Sequence, residues 1–143
     1  MKPIVGKEKV TDRFGYWPSF HDAEIHGIHL YRDSRGSGFG PTIEAVIHVF
    51  EVTKDLDPKG YFVLTKHTLV TLRFSDADDL EIDGLNHQNA IRSMNLSEES
   101  RDGGPEVYRV ELEPAYGLGA SFTCSQIEVV EATSYVPSMP ADA

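Results

Sequence analysis

The chain has 143 residues and a formal net charge of −10, and this length is enough to bury one hydrophobic core. It contains no apolar run long enough to cross a membrane and no long apolar segment near its start, so we expect neither a membrane span nor a signal peptide. We therefore expect one cytoplasmic domain over residues 1–136 and a loosely held tail over residues 137–143. Cys124 is the only cysteine, which excludes an internal disulfide and a paired-cysteine zinc site, and its apolar surroundings predict that it is buried.

The negative charge lies in the second half of the sequence. Residues 1–72 carry nine basic and nine acidic side chains, whereas residues 73–143 carry four basic and fourteen acidic ones. Direct nucleic-acid binding needs clustered Lys and Arg side chains, so this distribution argues against it. An acidic half suits a basic protein partner, although solubility alone is an equally good explanation.

The first predicted element is a short amphipathic helix. Val10, Phe14 and Trp17 recur at helical spacing, which predicts a helix over residues 7–14 that ends at Gly15.

The remainder of the chain has the pattern of strands separated by turns. Alternation from residue 23 predicts a strand with Ile25, Gly27 and His29 on one face, followed by a glycine-rich loop over residues 32–41. Further strands are predicted at residues 42–52, 66–76, 80–82, 107–114 and 120–134, with a helical turn at residues 88–94 and a flexible loop at residues 97–106. The pattern predicts an α+β, β-rich fold, with a mostly antiparallel sheet that is strongly curved or two-layered and one N-terminal helix.

The stretch GYWPSFHDAEI, residues 15–25, concentrates ligand-type side chains before the first predicted strand. If this segment is extended, Asp22, Glu24 and His26 share one face and could bind zinc, iron or manganese. The tips of such a row spread over more than about 12 Å, which makes three bonds to one ion difficult. Further ligands for such a site would be His21, His29 or His48.

A structural role is the stronger interpretation of the same stretch. Trp17 and Phe20 flank a turn that would bring the helix onto the sheet, and both rings would add apolar area to the core. Asp22 could accept backbone N–H groups in that turn, and His21 could bond a neighbouring carbonyl. The corner would then define the fold without contacting a ligand.

Catalysis has little support in the sequence. A histidine with Asp22 or Glu24 could act as an acid–base pair, but no nucleophile elbow or phosphate loop accompanies them. The GSGFG segment, residues 36–40, lacks the lysine and the helix that follow a nucleotide-binding loop. We therefore expect a protein that is not an enzyme and has no cofactor.

Two segments resemble the immunity protein 50 family, which comprises small bacterial proteins encoded beside toxins. One is YRVELEPAYGLGASFTCSQIEVVEA, residues 108–132, with a strand, a Tyr-Gly turn and a second strand. The other is FGYWPSFHDAEI, residues 14–25, whose motif positions are Trp17, Phe20, His21, Asp22 and Glu24. The resemblance implies a non-enzymatic protein that neutralises a cognate toxin by covering its active surface.

A basic nuclease is one class of toxin that an acidic surface would attract, because carboxylates can mimic phosphate. Each candidate contact residue could equally be a solvated surface charge. The candidates are Asp76, Asp78, Asp79, Glu81, Asp83, Glu98, Glu99 and Asp102.

Two alternatives to toxin binding stay open. The first is a small metal-binding protein or metalloenzyme that uses Asp22, Glu24 and His26. The second is a structural or oligomerisation module whose aromatic side chains form a homodimer face. We expect no contact with a membrane or directly with nucleic acid, and the sequence does not fix the oligomeric state.

Overall fold

The computed structural model describes residues 3–100 and 103–137, so Asp102 and most of the predicted tail lie outside the described residues. Within the described residues the helix and the strands are, in chain order, α1 (Glu8–Phe14), β1 (Glu24–Tyr31), β2 (Thr42–Leu56), β3 (Phe62–Ser75), β4 (Asp78–Asp83), β5 (Ile91–Glu99), β6 (Val107–Pro114), β7 (Gly119–Cys124) and β8 (Gln126–Ser134).

These strands form two four-stranded antiparallel sheets. The first sheet has the order β1-β2-β3-β8 and the second has the order β4-β7-β6-β5. Their inner faces share one core, where the rings of Phe74 on β3 and Phe122 on β7 meet edge to face with centroids 4.9 Å apart. The predicted α+β, β-rich fold with a two-layered antiparallel arrangement and a short N-terminal helix is confirmed.

Helix α1 packs against β3 and β8 of the first sheet. It buries Val10 and Phe14 in the core, as the helical spacing of these residues predicted. Gly15 ends the helix in the left-handed conformation, with φ of 84°, and its N–H donates to the Thr11 carbonyl at 2.7 Å. A residue with a side chain would be strained at this φ, so glycine permits the chain to turn back toward the sheets.

A seam of backbone hydrogen bonds joins the two sheets at the GYWPSFHDAEI stretch. The N–H of Asp22 donates to the Ile91 carbonyl, and the N–H of Ile91 donates to the Ala23 carbonyl, both at 2.9 Å. The N–H of Ile25 donates to the Asn89 carbonyl at the same distance. The seam therefore attaches the start of β1, in the first sheet, to the start of β5, in the second.

The chain also crosses between the sheets at two neighbouring points. Asp76 and Ala77 separate β3 from β4, and Ser125 alone separates β7 from β8. The Ser125 N–H donates to the Ser75 carbonyl at 2.9 Å, and its hydroxyl donates to the Asp76 carboxylate at 2.7 Å. Each crossing thus holds the other in place.

The helical turn predicted at residues 88–94 is wrong. From Ile91 onward the segment is extended, and residues 97–99, which were predicted to lie in the flexible loop, continue β5. A β-bulge between Ile91 and Ser93 explains the error, because it allows Ile91 and Met94, three residues apart in sequence, both to face the core, as they would in a helix.

Two further predictions about strands are wrong. The single strand predicted over residues 120–134 is divided at Ser125 into β7 and β8, which belong to different sheets. The predicted sharing of one face by Ile25 and Gly27 fails because a bulge separates them, so that Ile25 pairs with Ile47 and Gly27 with Val46.

The side chain of Asn89 closes the loop that leads into β5. Its Oδ1 accepts hydrogen bonds from the N–H groups of Asn86 at 2.9 Å and Leu118 at 3.0 Å, and its Nδ2 donates to the Asn86 carbonyl at 2.8 Å. Asn89 is buried, so each of these bonds satisfies a group shielded from water.

We expect Asn89→Ala to lower the free energy of unfolding by about 2–3 kcal/mol, because the buried Leu118 N–H loses its acceptor. Asn95→Ala, at an exposed position on β5, is the control and should change stability by less than about 0.5 kcal/mol. Urea denaturation of both variants measures the difference. Equal stability of the two variants would contradict this account of the loop.

Candidate functional site

The acidic residues predicted to contact a partner fall mainly at two opposite edges of the second sheet. Strands β6 and β7 lie between these edges, so the structure does not bring the two groups together. One group lies on the edge strand β4 and comprises Asp78, Asp79, Glu81 and Asp83, and the other lies at the end of β5 and comprises Glu98 and Glu99.

Asp76 is engaged inside the protein. Its carboxylate accepts hydrogen bonds from the N–H groups of Phe39 at 2.8 Å and Gly40 at 3.1 Å, and from the hydroxyl of Ser125. Desolvation by burial opposes ionisation, but these three hydrogen bonds outweigh it and hold the pKa of Asp76 below its usual value. The carboxylate therefore fastens the glycine-rich loop, residues 32–41, to the crossing between the sheets.

The exposed side of the second sheet brings together four carboxylates, which we call the acidic face. Strand pairing aligns Glu81 of β4 with Ser121 of β7, and Ser121 with Glu111 of β6. On the next row, Asp83 pairs with Gly119. The acidic face comprises Glu81, Asp83, Glu111 and Glu113.

A groove of about 690 Å³ runs along the acidic face. Its central strand contributes small side chains at Gly119, Ala120 and Ser121, so the longer carboxylate side chains stand on either side of a low floor. Gly119 is tightly fitted, because an added Cβ would lie 3.0 Å from the Pro114 ring. The groove is therefore a shallow, acid-rimmed surface shaped by strand pairing.

Two arginines lie at the acidic face, and one of them reaches the groove, because Arg109 Nη1 donates to the Ser121 hydroxyl at 3.4 Å. Arg109 binds Glu99 at 3.0 Å, and Arg92 lies 3.8 Å from Glu113. Within residues 3–100 and 103–137, no ion pair involves Glu81, Asp83 or Glu111. These three carboxylates outnumber Arg109, the arginine that reaches the groove, and so leave a net negative charge there.

Glu111 and Glu113 are the members of the acidic face that sequence reasoning missed. Both lie in the correctly predicted strand at residues 107–114, where they alternate with the buried Val110 and Leu112. This alternation marked them as outward-facing, but only the strand order shows that they lie beside β7 and close to β4.

The motif residues of the opening stretch lie at the seam. Trp17 and Phe20 pack with ring centroids 5.5 Å apart, and Phe20 is buried. The His21 ring places Nδ1 at 2.8 Å from the Arg92 carbonyl, so this nitrogen carries the proton and donates it. Asp22 lies beside His21 at 3.4 Å, and Glu24 pairs with His48 across β1 and β2.

The row of possible metal ligands does not form as the sequence suggested. Asp22 adopts φ of 65°, outside the extended region, and the bulge that follows Ile25 changes the direction of His26. His29 stacks on Tyr31 instead, with centroids 6.3 Å apart. In the described part of the chain, no group of three or more His, Cys, Asp or Glu side chains is arranged to hold a metal ion.

Three histidines do meet on the first sheet, and we call His26, His48 and His67 the histidine cluster. The Nε2 of His48 lies 2.9 Å from the Nδ1 of His67, and the His26 ring lies 5.8 Å from the His48 ring between centroids. The Tyr135 ring meets the His26 ring edge to face and packs at a tilt against the His48 ring. Pairing of β2 with β3 creates this cluster, which explains why no local sequence motif indicated it.

Burial and the two neighbouring imidazoles lower the pKa of His48 to about 4. Its ring is therefore neutral at pH 7, where one nitrogen of the His48–His67 hydrogen bond must donate and the other accept.

Cys124 is also removed from solvent, as predicted, and burial raises its thiol pKa to about 12. A thiol in that environment is a poor nucleophile.

Comparison with protein families identifies one match, in which the sequence model described as Immunity protein 50 aligns with residues 6–135. The chain belongs to this family. The match covers the helix, both sheets and the seam, so the resemblance seen in the two terminal segments extends through the middle of the sequence. Comparison with curated proteins and with solved structures gives no match.

For this member of the immunity protein 50 family, the described residues include no helix that is long and apolar enough to cross a membrane. The acidic face lies wholly within the matched region.

We expect Asp76→Asn to lower the free energy of unfolding by about 1–2 kcal/mol, because the hydrogen bonds to Phe39, Gly40 and Ser125 lose their charged acceptor. Urea denaturation measures this loss, and hydrogen exchange should show faster exchange at the Phe39 and Gly40 amides. Asp55→Asn, at an exposed position, is the control. Unchanged protection of the two amides in the Asp76 variant would contradict the assigned role.

The His48 environment predicts a dependence of stability on pH. The unfolded chain takes up a proton at His48 near its ordinary pKa of 6.5, whereas the folded protein resists protonation until about pH 4. The free energy of unfolding should therefore fall as the pH drops through this window, by about 1–2 kcal/mol more than in His48→Gln. Denaturation curves between these pH values measure the difference.

His29→Gln removes an exposed histidine from the first sheet and serves as the matched control. It should retain the pH dependence of the unmodified protein. If His48→Gln and His29→Gln change the slope equally, the assignment to His48 is wrong.

Proposed function

We propose that this member of the immunity protein 50 family neutralises a cognate toxin by binding it through the acidic face. The protein acts by occupying the toxin surface and performs no chemistry on it. An excess of carboxylates around an open groove carries the proposal, because it provides both a shape and an electrostatic preference for a partner.

The geometry favours a basic partner surface over a small ligand. The groove is open and shallow, whereas sites for small molecules enclose most of the ligand surface. Carboxylates, like phosphates, offer anionic oxygens that accept hydrogen bonds from Lys and Arg side chains. A toxin whose own site binds phosphates, such as a nuclease, would present Lys and Arg side chains to this surface.

The arrangement also suits rapid association. The chain carries a formal net charge of −10, and most of its acidic residues lie in the half that builds the second sheet. The negative electrostatic potential of these charges accelerates the encounter with a basic partner, and the acceleration decreases as salt screens the charges. An immunity protein benefits from fast capture because free toxin is harmful before binding occurs.

The triple variant Glu81→Gln, Asp83→Asn and Glu111→Gln tests the proposal. We expect the association rate with the toxin encoded by the neighbouring gene to fall at least about tenfold at low ionic strength, and its salt dependence to become shallower. Stopped-flow or surface-based kinetics over a salt series measures both. Inhibition of the toxin by each variant provides the functional readout.

The matched control removes the same number of charges elsewhere, through Glu8→Gln, Asp12→Asn and Glu131→Gln. These exposed residues lie on α1 and β8, away from the acidic face. The control should reduce the association rate by less than about threefold, through its effect on net charge alone. Equal effects of the two triple variants would show that overall charge acts and that the acidic face does not.

A further inference from the structure

The hairpin of β2 and β3 extends past both neighbouring strands of the first sheet. Pairing of β1 with β2 begins at His48, and pairing of β3 with β8 begins at Thr68. Residues 50–66, which we call the hairpin arm, therefore pair only with each other among the described residues. The faces of the arm are exposed because no further strand pairs with it. A two-stranded hairpin alone is marginally stable in water, so contact with another surface would stabilise it.

The base and the tip of the hairpin arm are both ordered by specific contacts. At the base, Glu51 accepts a hydrogen bond from the Tyr16 hydroxyl at 2.7 Å and pairs with Lys66 at 3.2 Å. At the tip, the Asp57 carboxylate accepts from the N–H groups of Lys59 and Tyr61, both at 2.9 Å. These contacts order the arm where it projects beyond the rest of the first sheet.

One face of the hairpin arm carries an apolar stripe. Val52 pairs with Leu64, and Leu56 pairs with Phe62, so strand pairing places these side chains on one side of the ribbon. Their exposed fractions are 52% for Val52, 62% for Leu56, 58% for Phe62 and 39% for Leu64. Four large apolar side chains on one exposed face indicate an interaction surface, because a single exposed apolar residue is ordinary but a contiguous group is not.

We propose that the apolar stripe binds the apolar stripe of a second copy of this chain, so that the protein self-associates through its hairpin arms. Charge supports a second copy as the occupant. The arm carries three lysines and three carboxylates in a chain whose net charge is −10, so it is a region where two copies meet without the repulsion expected elsewhere.

The same balance of charge makes the hairpin arm self-complementary. A two-fold interface places one surface against itself, so each lysine needs a carboxylate on the same patch as its partner. Lys54 and Asp55 are both exposed on β2 within the arm and supply one charge of each sign. A basic toxin, in contrast, gains no electrostatic attraction from a neutral arm.

Self-association through the arms would leave the acidic face open. The arm belongs to the first sheet, whereas the acidic face lies on the outer side of the second. Each copy in the dimer could therefore hold its own partner. The arm is small, so we expect a weak dimer with a dissociation constant of roughly 1–100 µM.

Sedimentation velocity of the purified full chain, from about 5 µM to about 1 mM, tests the proposal without any toxin. The unmodified protein should shift from monomer to dimer over this range. The double variant Leu56→Ser and Phe62→Ser should raise the dissociation constant at least about tenfold, because both apolar side chains leave the interface. Circular dichroism and thermal unfolding verify that the variant remains folded.

The control variant Leu30→Ser and Leu85→Ser removes two exposed leucines outside the arm and should change the dissociation constant by less than about twofold. Raising NaCl from about 50 mM to about 500 mM should change the dissociation constant of the dimer by less than about threefold, because the stripe is apolar and the lysines and carboxylates of the arm balance. Toxin binding at the acidic face should weaken steeply over the same range, so failure of either proposal can be distinguished from failure of the other.

An unmodified protein that stays monomeric at about 1 mM would overturn self-association. Equal loss in the control, or a dissociation constant that rises at least about tenfold with salt, would also overturn it. If the protein is monomeric and the arm variant loses toxin inhibition, the stripe contacts the toxin and a second copy is the wrong occupant.

Discussion

The hydrogen bonds between residues 22–25 and 89–91 are the constraint on which the two-sheet arrangement depends. They join strands that are far apart in sequence and lie in different sheets, so they fix how one sheet is positioned over the other. The buried Phe20 and Ala23 supply apolar packing at the same place. A short stretch dense in aromatic and polar side chains therefore serves as a structural joint between the two sheets.

Sequence alone predicted the helix, most strands and a mostly antiparallel fold, either strongly curved or two-layered, because these features depend on local periodicity. The spacing of Val10 and Phe14 indicated the buried side of α1, and the alternation of apolar and charged residues indicated the two faces of β6. The sequence did not predict the bulge at residues 91–93 or the crossing at Ser125, where one residue interrupts a segment that otherwise reads as one strand. Such features depend on which strands become neighbours, and pairing at that distance leaves no local periodic pattern.

The candidate site likewise combines features that the local sequence predicted with features that depend on strand pairing. The acidic residues of β4 were identified from their density in sequence, but Glu98 and Glu99 proved to lie at the opposite edge of the sheet. Glu111 and Glu113 gained their importance only from the strand order. Asp76 belongs to the same acidic run as the β4 residues, yet backbone N–H groups surround its carboxylate. The density of acidic residues in the sequence therefore identifies the region of a candidate site, whereas strand pairing determines which carboxylates lie together.

The alternation of β6 has a consequence for how such a protein can diversify. Val110 and Leu112 face the interior, and Glu111 and Glu113 face solvent from the positions between them. Exchanges at the outward positions cost little stability, typically within about 0.5 kcal/mol, whereas exchanges at the inward ones disturb packing. Under the proposed function, proteins built on this scaffold could therefore change the partner they recognise one outward residue at a time, while the interior that folds the chain stays the same.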